Sequence, residues 1–129
     1  PVKLILDTCT LLWVIAGSTA LSPTARTLIT DPDNDVFLSA ASAWEIAIKH
    51  ALGRLPLPVA PERFVPEERA RHQIDPLTID EVAALHVTRL PALHRDPFDR
   101  LIVSQAIVGG LTIVTPDEAI ARYPAPVIW

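Results

Sequence analysis

The sequence predicts an α/β domain built on a parallel sheet with helices on both faces, and three observations carry that expectation. Short apolar runs rich in β-branched residues stand at Val2–Leu6, Val36–Ser39 and Leu111–Thr115, with stretches of helical character between them, the alternation that generates βαβ units. Half of the 129 residues are hydrophobic and 20% are charged, which supplies a sizeable core and excludes disorder as the main state. The length is that of one compact domain over residues 1–129.

Each element has a local reason. Val2–Leu6 is an apolar strand that delivers Asp7 at its carboxyl end, and Thr10–Ala16 is a helical stretch stopped by Gly17. Ser22 followed by Pro23 marks an N-cap and first helical position for a helix to about Ile29. The turn cluster Asp31–Asp35 precedes the strand Val36–Ser39, after which Ser42 is expected to cap a helix to Leu52, closed by Gly53, with Glu45 in its first turn. A proline-rich interval, Pro56–Pro66, leads to a charged helical segment at Glu67–Arg71, and Ile74–Leu77 reads as a minor strand. Thr78 and Glu81 form a capping-box pattern for a helix to about Leu90. Asp96-Pro97 opens the next helix, which runs to Gly109-Gly110, and Leu111–Thr115 is the last long strand. Asp117 follows it closely, Glu118–Arg122 reads as a short helix, and Val127–Trp129 as a final strand.

Composition narrows the functional classes. The formal charge of −4, from 11 basic and 15 acidic residues, argues against a broad basic face for nucleic acid but leaves room for a local site. Cys9 is the single cysteine and forms no internal disulfide; it reads as a small buried apolar residue. No apolar run approaches the roughly 20 residues that span a bilayer, and no signal-peptide pattern opens the chain, so a cytoplasmic protein without membrane contact is expected.

In open parallel sheets ligands bind beyond the carboxyl ends of the strands, a rule that selects Asp7 and Asp117. Glu45 and Asp99 join them as acids at predicted helix starts. Clustered carboxylates repel unless a cation neutralises them, and hard oxygen donors without close Cys or His pairs favour Mg²⁺ or Mn²⁺ over Zn²⁺. Such a cation serves phosphoryl chemistry. Structural readings stand beside each assignment: Lys49 lies four residues after Glu45 and can simply pair with it, Asp96 is explained as an N-cap, and Asp117 could cap the short helix after it. The four histidines are dispersed and read as surface or packed residues. If the substrate is a polynucleotide, Lys49, Arg54, Arg95 and Arg100 are the candidate phosphate contacts.

The ordered set Leu4-Ile5-Leu6-Asp7-Thr8, Ser42-Ala43-Trp44-Glu45-Ile46, His94-Arg95-Asp96-Pro97-Phe98-Asp99 and Leu111–Thr115 leading to Asp117 resembles the PIN-domain family, specifically its VapC-like ribonuclease toxins. The resemblance implies a three-layer α/β/α domain with a central, mainly parallel sheet. It implies a catalytic, metal-binding set of Asp7, Glu45, Asp99 and Asp117, auxiliary roles for Asp96, Thr8 and Thr115, and Mg²⁺ or Mn²⁺ as cofactor. It further implies an RNA substrate, a cognate antitoxin and a homodimer. Two positions depart from the pattern: Cys9 stands where similar sequences often carry His, and Pro116 where a basic residue often precedes the last Asp.

Two other functions compete. Asp7-Thr8-Cys9-Thr10 echoes the Asp-x-Asp-x-Thr of haloacid-dehalogenase-like phosphatases, although Cys9 replaces the second Asp. A catalytically silent PIN-like binding module is the other.

Overall fold

The computed structural model describes all residues from Pro1 to Trp129. Five strands, β1 (Lys3–Leu6), β2 (Asp35–Ser39), β3 (Asp75–Leu77), β4 (Thr112–Val114) and β5 (Val127–Ile128), form one sheet in the order β3-β2-β1-β4-β5, with every pair parallel. Helices α1 (Thr8–Ala16), α2 (Pro23–Thr30), α3 (Ala40–Ala51), α4 (Pro61–Arg71), α5 (Glu81–His86), α6 (Pro97–Gly109) and α7 (Glu118–Ala121) make the crossovers.

β1 is central because it is apolar on both sides. Successive strand side chains point to opposite faces: Leu4 and Leu6 enter a cluster with Leu11, Ala25, Ile46 and Phe64 of α1 to α4, whereas Ile5 packs with Ile102, Val103, Ala106 and Ile120 of α6 and α7. Two helical layers therefore sandwich the sheet, the expected α/β/α arrangement. The chain leaves β1 on one side for β2 and β3, then returns to its other side as β4, so the order reverses between β1 and β4. A crevice at their carboxyl ends is the geometric consequence.

Four helix starts differ from expectation, while strand ends shift by about one residue. α1 begins at Thr8 because Asp7 itself caps it, Oδ1 accepting from Thr10 N at 2.9 Å. β2 runs straight into α3 with Ser39 as cap, its Oγ accepting from Ala41 N at 2.9 Å, so Ser42 lies inside the helix and Glu45 in its second turn. α4 starts at Pro61, where the missing N–H is not needed, and continues through Pro66; burial of Phe64 and Val65 against the sheet offsets the hydrogen bond lost there. α5 is capped by Asp80, whose Oδ1 accepts from Ala83 N at 2.8 Å, rather than by Thr78, and it ends at His86 before a 3₁₀ turn at Val87–Arg89. Asp is at least as good a cap as Thr, and the Thr78 carbonyl is drawn outside by the Gln105 amide at 3.1 Å. Pro76 is accommodated because β3 is an edge strand.

Candidate active site

All four predicted acids line one cleft of about 380 Å³ at the reversal point, together with Thr8, Asp96, Lys49 and Arg54. Asp7 is fixed from two sides. α1 gives it the Thr10 N–H, and Thr115, the residue after β4, donates its hydroxyl to Oδ2 at 2.5 Å. The Thr10 hydroxyl donates to the Val114 carbonyl at 3.0 Å, so α1 is tied to β4 as well. Burial, only 4% of the residue being exposed, pushes the Asp7 carboxyl above its ordinary range; the hydrogen bonds from Thr10 and Thr115 pull it back, and the charge of Asp117 pushes it further up.

Glu45 is also buried, and both its oxygens are engaged: Oε1 accepts from the Thr8 hydroxyl at 2.6 Å and Oε2 from Lys49 Nζ at 2.6 Å. Ser42, displaced from its expected capping role, is hydrogen-bonded to the same Thr8 hydroxyl at 3.0 Å. The Lys49 ammonium is held charged above its usual range, first by the bond to Glu45 and then, against partial burial, by the charges of Glu45, Asp96 and Asp99. The expected i,i+4 pair thus forms, and the same ammonium is a built-in counter-charge for the cleft.

Asp96 caps α6, its Oδ1 accepting from Phe98 N at 2.9 Å and Asp99 N at 3.1 Å. Asp99, in the first turn of the same helix, is raised from 3.8 to about 6 by burial and then by Asp96, with Asp117 and Asp7 adding to the repulsion and the His94 bond opposing it. Asp117 caps α7 through Oδ1, accepting from Ala119 N at 2.8 Å, while its own N–H donates to the Thr115 hydroxyl at 3.0 Å.

Cys9 corrects an expectation. It is exposed at the cleft rather than buried, because the first turn of α1 turns it away from the sheet. Partial burial and then the charges of Asp7, Asp117, Asp99 and Glu45 push its thiol up to about 11. The fields of all four acids thus overlap at one sulfur, as their shared cleft requires.

The basic residues divide. Lys49 and Arg54 line the cleft. Arg95 is exposed but lines a neighbouring cavity of about 540 Å³ that contains none of the acids. Arg100 is committed elsewhere: Nη1 donates to the Pro91 carbonyl at 2.9 Å and the Tyr123 hydroxyl at 3.0 Å, and Nη2 to the Val87 carbonyl at 3.2 Å. With three of its five N–H donors held by two carbonyls and a phenol, this guanidinium serves as a structural brace outside the acid-lined cleft. Sequence reasoning missed His94, whose Nε2 lies 3.3 Å from Asp99 Oδ2, and the edge-to-face pair of Trp44 and Phe98, with ring centroids 5.0 Å apart. The five-residue spacing from His94 to Asp99, spanning a proline-initiated helix start, was the available signal for the first.

The donor set fits a hard divalent cation. As the side chains stand, no three acids, histidines or cysteines converge closely enough to hold an ion among themselves. Mg²⁺ characteristically keeps several waters and takes only one or two carboxylates directly, which suits a cleft of spaced oxygens. Asp7 and Asp99 are both raised first by burial, and the neighbouring acids add a repulsion that such an ion would relieve.

A doubly wound parallel α/β domain with a cleft of acids at its reversal point is the class that fold and site define. The chain belongs to the PIN domain family, which matches residues 4–126. A 61-residue stretch is 43% identical to Ribonuclease VapC16 of Mycobacterium tuberculosis, covering 47% of this chain and 43% of that protein, so the similarity spans less than half of the curated relative. The fold is similar to a chain in the crystal structure of VapBC2 from Rickettsia felis bound to a DNA fragment from their promoter, with a TM-score of 0.74, 16% identity, and 98% and 97% of the two chains covered. It is also similar to a chain in VapBC-1 from nontypeable Haemophilus influenzae, with a TM-score of 0.63, 15% identity, and 98% and 96% covered. Membership of this family removes the basis of the phosphatase alternative, which rested on a four-residue echo lacking its second Asp. No helix is long and apolar enough to cross a membrane.

Proposed function

We propose that this chain is a Mg²⁺- or Mn²⁺-dependent endoribonuclease, the toxin of a prokaryotic toxin–antitoxin pair, with residues 1–129 as a single PIN domain. The observation that carries the reading is the meeting of Asp7, Glu45, Asp99 and Asp117, drawn from four parts of the chain, around one cleft. Similarity to a protein named as a ribonuclease supports RNA as substrate, and likeness to chains in VapBC structures supports a cognate antitoxin as partner. We further propose a cytoplasmic homodimer.

Asp7, Glu45, Asp99 and Asp117 would hold the cation, with Asp96 assisting. When bound, the ion supplies Lewis-acid chemistry, activating a water toward phosphorus and neutralising charge on the departing oxygen. The protein's own contribution is orientation. Thr115 and the Thr10 N–H fix the Asp7 carboxylate, and Thr8 fixes Glu45, so neither acid has to reorganise when substrate arrives. Lys49 and Arg54 at the cleft would meet RNA phosphates, restricting contact to a narrow groove.

Cleavage of RNA by the antitoxin-free protein should require Mg²⁺ or Mn²⁺, disappear in Asp7→Asn and Asp99→Asn, and leave 5′-phosphate ends, because water and not the 2′-hydroxyl attacks. Cyclic 2′,3′-phosphate ends would overturn the mechanism. A folded protein with no cation-dependent cleavage would favour a silent binding module.

A further inference from the structure

We propose that His94 is a positioning residue: its Nε2–H holds one oxygen of Asp99, and Tyr123 and Arg100 hold the imidazole from behind, so that a chain of side chains sets the orientation of one acid of the cleft. The inference rests on the reading of that cleft as a cation site.

The direction of each bond follows from what each group can do. Arg100 only donates, so at 3.0 Å the Tyr123 oxygen accepts from its Nη1. The Tyr123 O–H is then left to donate, and His94 Nδ1 lies 2.6 Å away as acceptor. An imidazole accepting at Nδ1 carries its proton on Nε2, which faces Asp99 Oδ2 at 3.3 Å, and an ionised carboxylate only accepts. Every group thus takes the role its neighbours leave it. The far end is rigid: Tyr123 is 3% exposed, and Arg100 is tied to the carbonyls of Pro91 and Val87.

Asp99 needs such an anchor. Asp96, Asp117 and Asp7 all repel it, and a free carboxylate in the first turn of α6 would swing away from them. With Oδ2 held by His94, Oδ1 takes no hydrogen bond from the protein. No buried side-chain oxygen or nitrogen lacks a partner, so Oδ1 lies on the open side, where Asp99 lines the cleft. Groups that orient ligating side chains from behind typically change metal affinity 10- to 100-fold when removed.

The test compares the full, antitoxin-free chain with His94→Leu, His94→Gln and Tyr123→Phe, titrating Mn²⁺ by calorimetry and checking each fold by thermal melting. Gln presents an N–H near the position of imidazole Nε2 and should restore what Leu removes. His94→Leu should weaken Mn²⁺ binding about 10-fold or more, His94→Gln should stay within about threefold of the parent, and Tyr123→Phe should fall between them. Equal affinity in all folded variants, or a Gln variant as weak as the Leu variant, would overturn the proposal. Nitrogen-15 NMR of the His94 ring reads the same network without metal. The proton should sit on Nε2 and lose that preference in Tyr123→Phe, and a proton on Nδ1 in the parent would refute the chain of donors. A parent protein that binds no Mn²⁺ while showing the Nε2–H form would instead refute the cation site and leave the side-chain network standing.

Discussion

Replacing Asp99 by Asn removes the most strained charge in the cleft, and the consequence for stability can be worked out. In the folded protein the Asp99 carboxyl titrates at about 6 against an ordinary 3.8, so between those values the folded state holds a proton that the unfolded chain has released. Stability therefore falls as pH rises through that window and is flat above it. A rise of about two in pKa, at about 1.4 kcal/mol each, sets an upper bound near 3 kcal/mol for the cost at neutral pH. The Asn side-chain oxygen can still accept from His94 Nε2, but the bond loses its charge-assisted part, which leaves a net gain of about 1 to 2 kcal/mol. For a chain of this size that is roughly 5 °C in melting temperature. Thermal melts in chelator should show Asp99→Asn above the parent at neutral pH, with the gap closing toward about pH 4. Added Mn²⁺ should raise the parent much more than the variant, because the ion relieves the charge the variant lacks. A variant that melts below the parent in chelator, with a gap independent of pH, would refute the electrostatic reasoning.

Further outcomes follow from the same geometry. Thr115→Val leaves a buried Asp7 oxygen without its donor and should cost about 1 to 3 kcal/mol in urea unfolding at neutral pH, with the loss shrinking in acid as Asp7 protonates. RNA binding by a cleavage-dead variant should depend weakly on salt: two phosphate contacts, Lys49 and Arg54, give a log–log slope near −1.4, and Arg54→Ala should lower its magnitude by about 0.7. Arg100→Met should lower the melting temperature through its lost braces while leaving that slope unchanged. Cys9, although exposed, should react slowly with a disulfide reagent near pH 8, since a thiol titrating at about 11 is about a thousandth thiolate there, and Mn²⁺ should speed the reaction.

What was legible in the sequence was whatever local periodicity and strand-end rules could encode. Val2–Leu6 announced a strand buried on both faces, and the carboxyl-end rule then selected Asp7 and Asp117 without knowledge of strand order. The boundaries failed where two residues competed for one job. Ser39 and Ser42 are both good caps, and only the direct run of β2 into α3 decides between them. Asp80 outranked Thr78 for the same kind of reason, a partner 27 residues away having claimed the Thr78 carbonyl. The surroundings of Arg100 and Cys9 are tertiary and have no local signature. Nothing near Arg100 in sequence reveals that Tyr123, Pro91 and Val87 will surround it.

Capping and a place at the cleft are not alternatives for these acids. Asp7, Asp96 and Asp117 each cap a helix through Oδ1, at α1, α6 and α7. A cap fixes the carboxylate to the backbone of a rigid element, and for Asp96 and Asp117 it leaves Oδ2 without a protein donor. Each cap also places the positive end of a helix beside the cleft, which partly offsets the repulsion among the carboxylates. The offset is incomplete: α7 has only four residues, and on top of burial the charges of Asp96, Asp117 and Asp7 still help to push Asp99 up to about 6. The charge left uncompensated is what the proposed divalent cation would neutralise, and three acids already held to helix backbones have less side-chain entropy to lose when it binds.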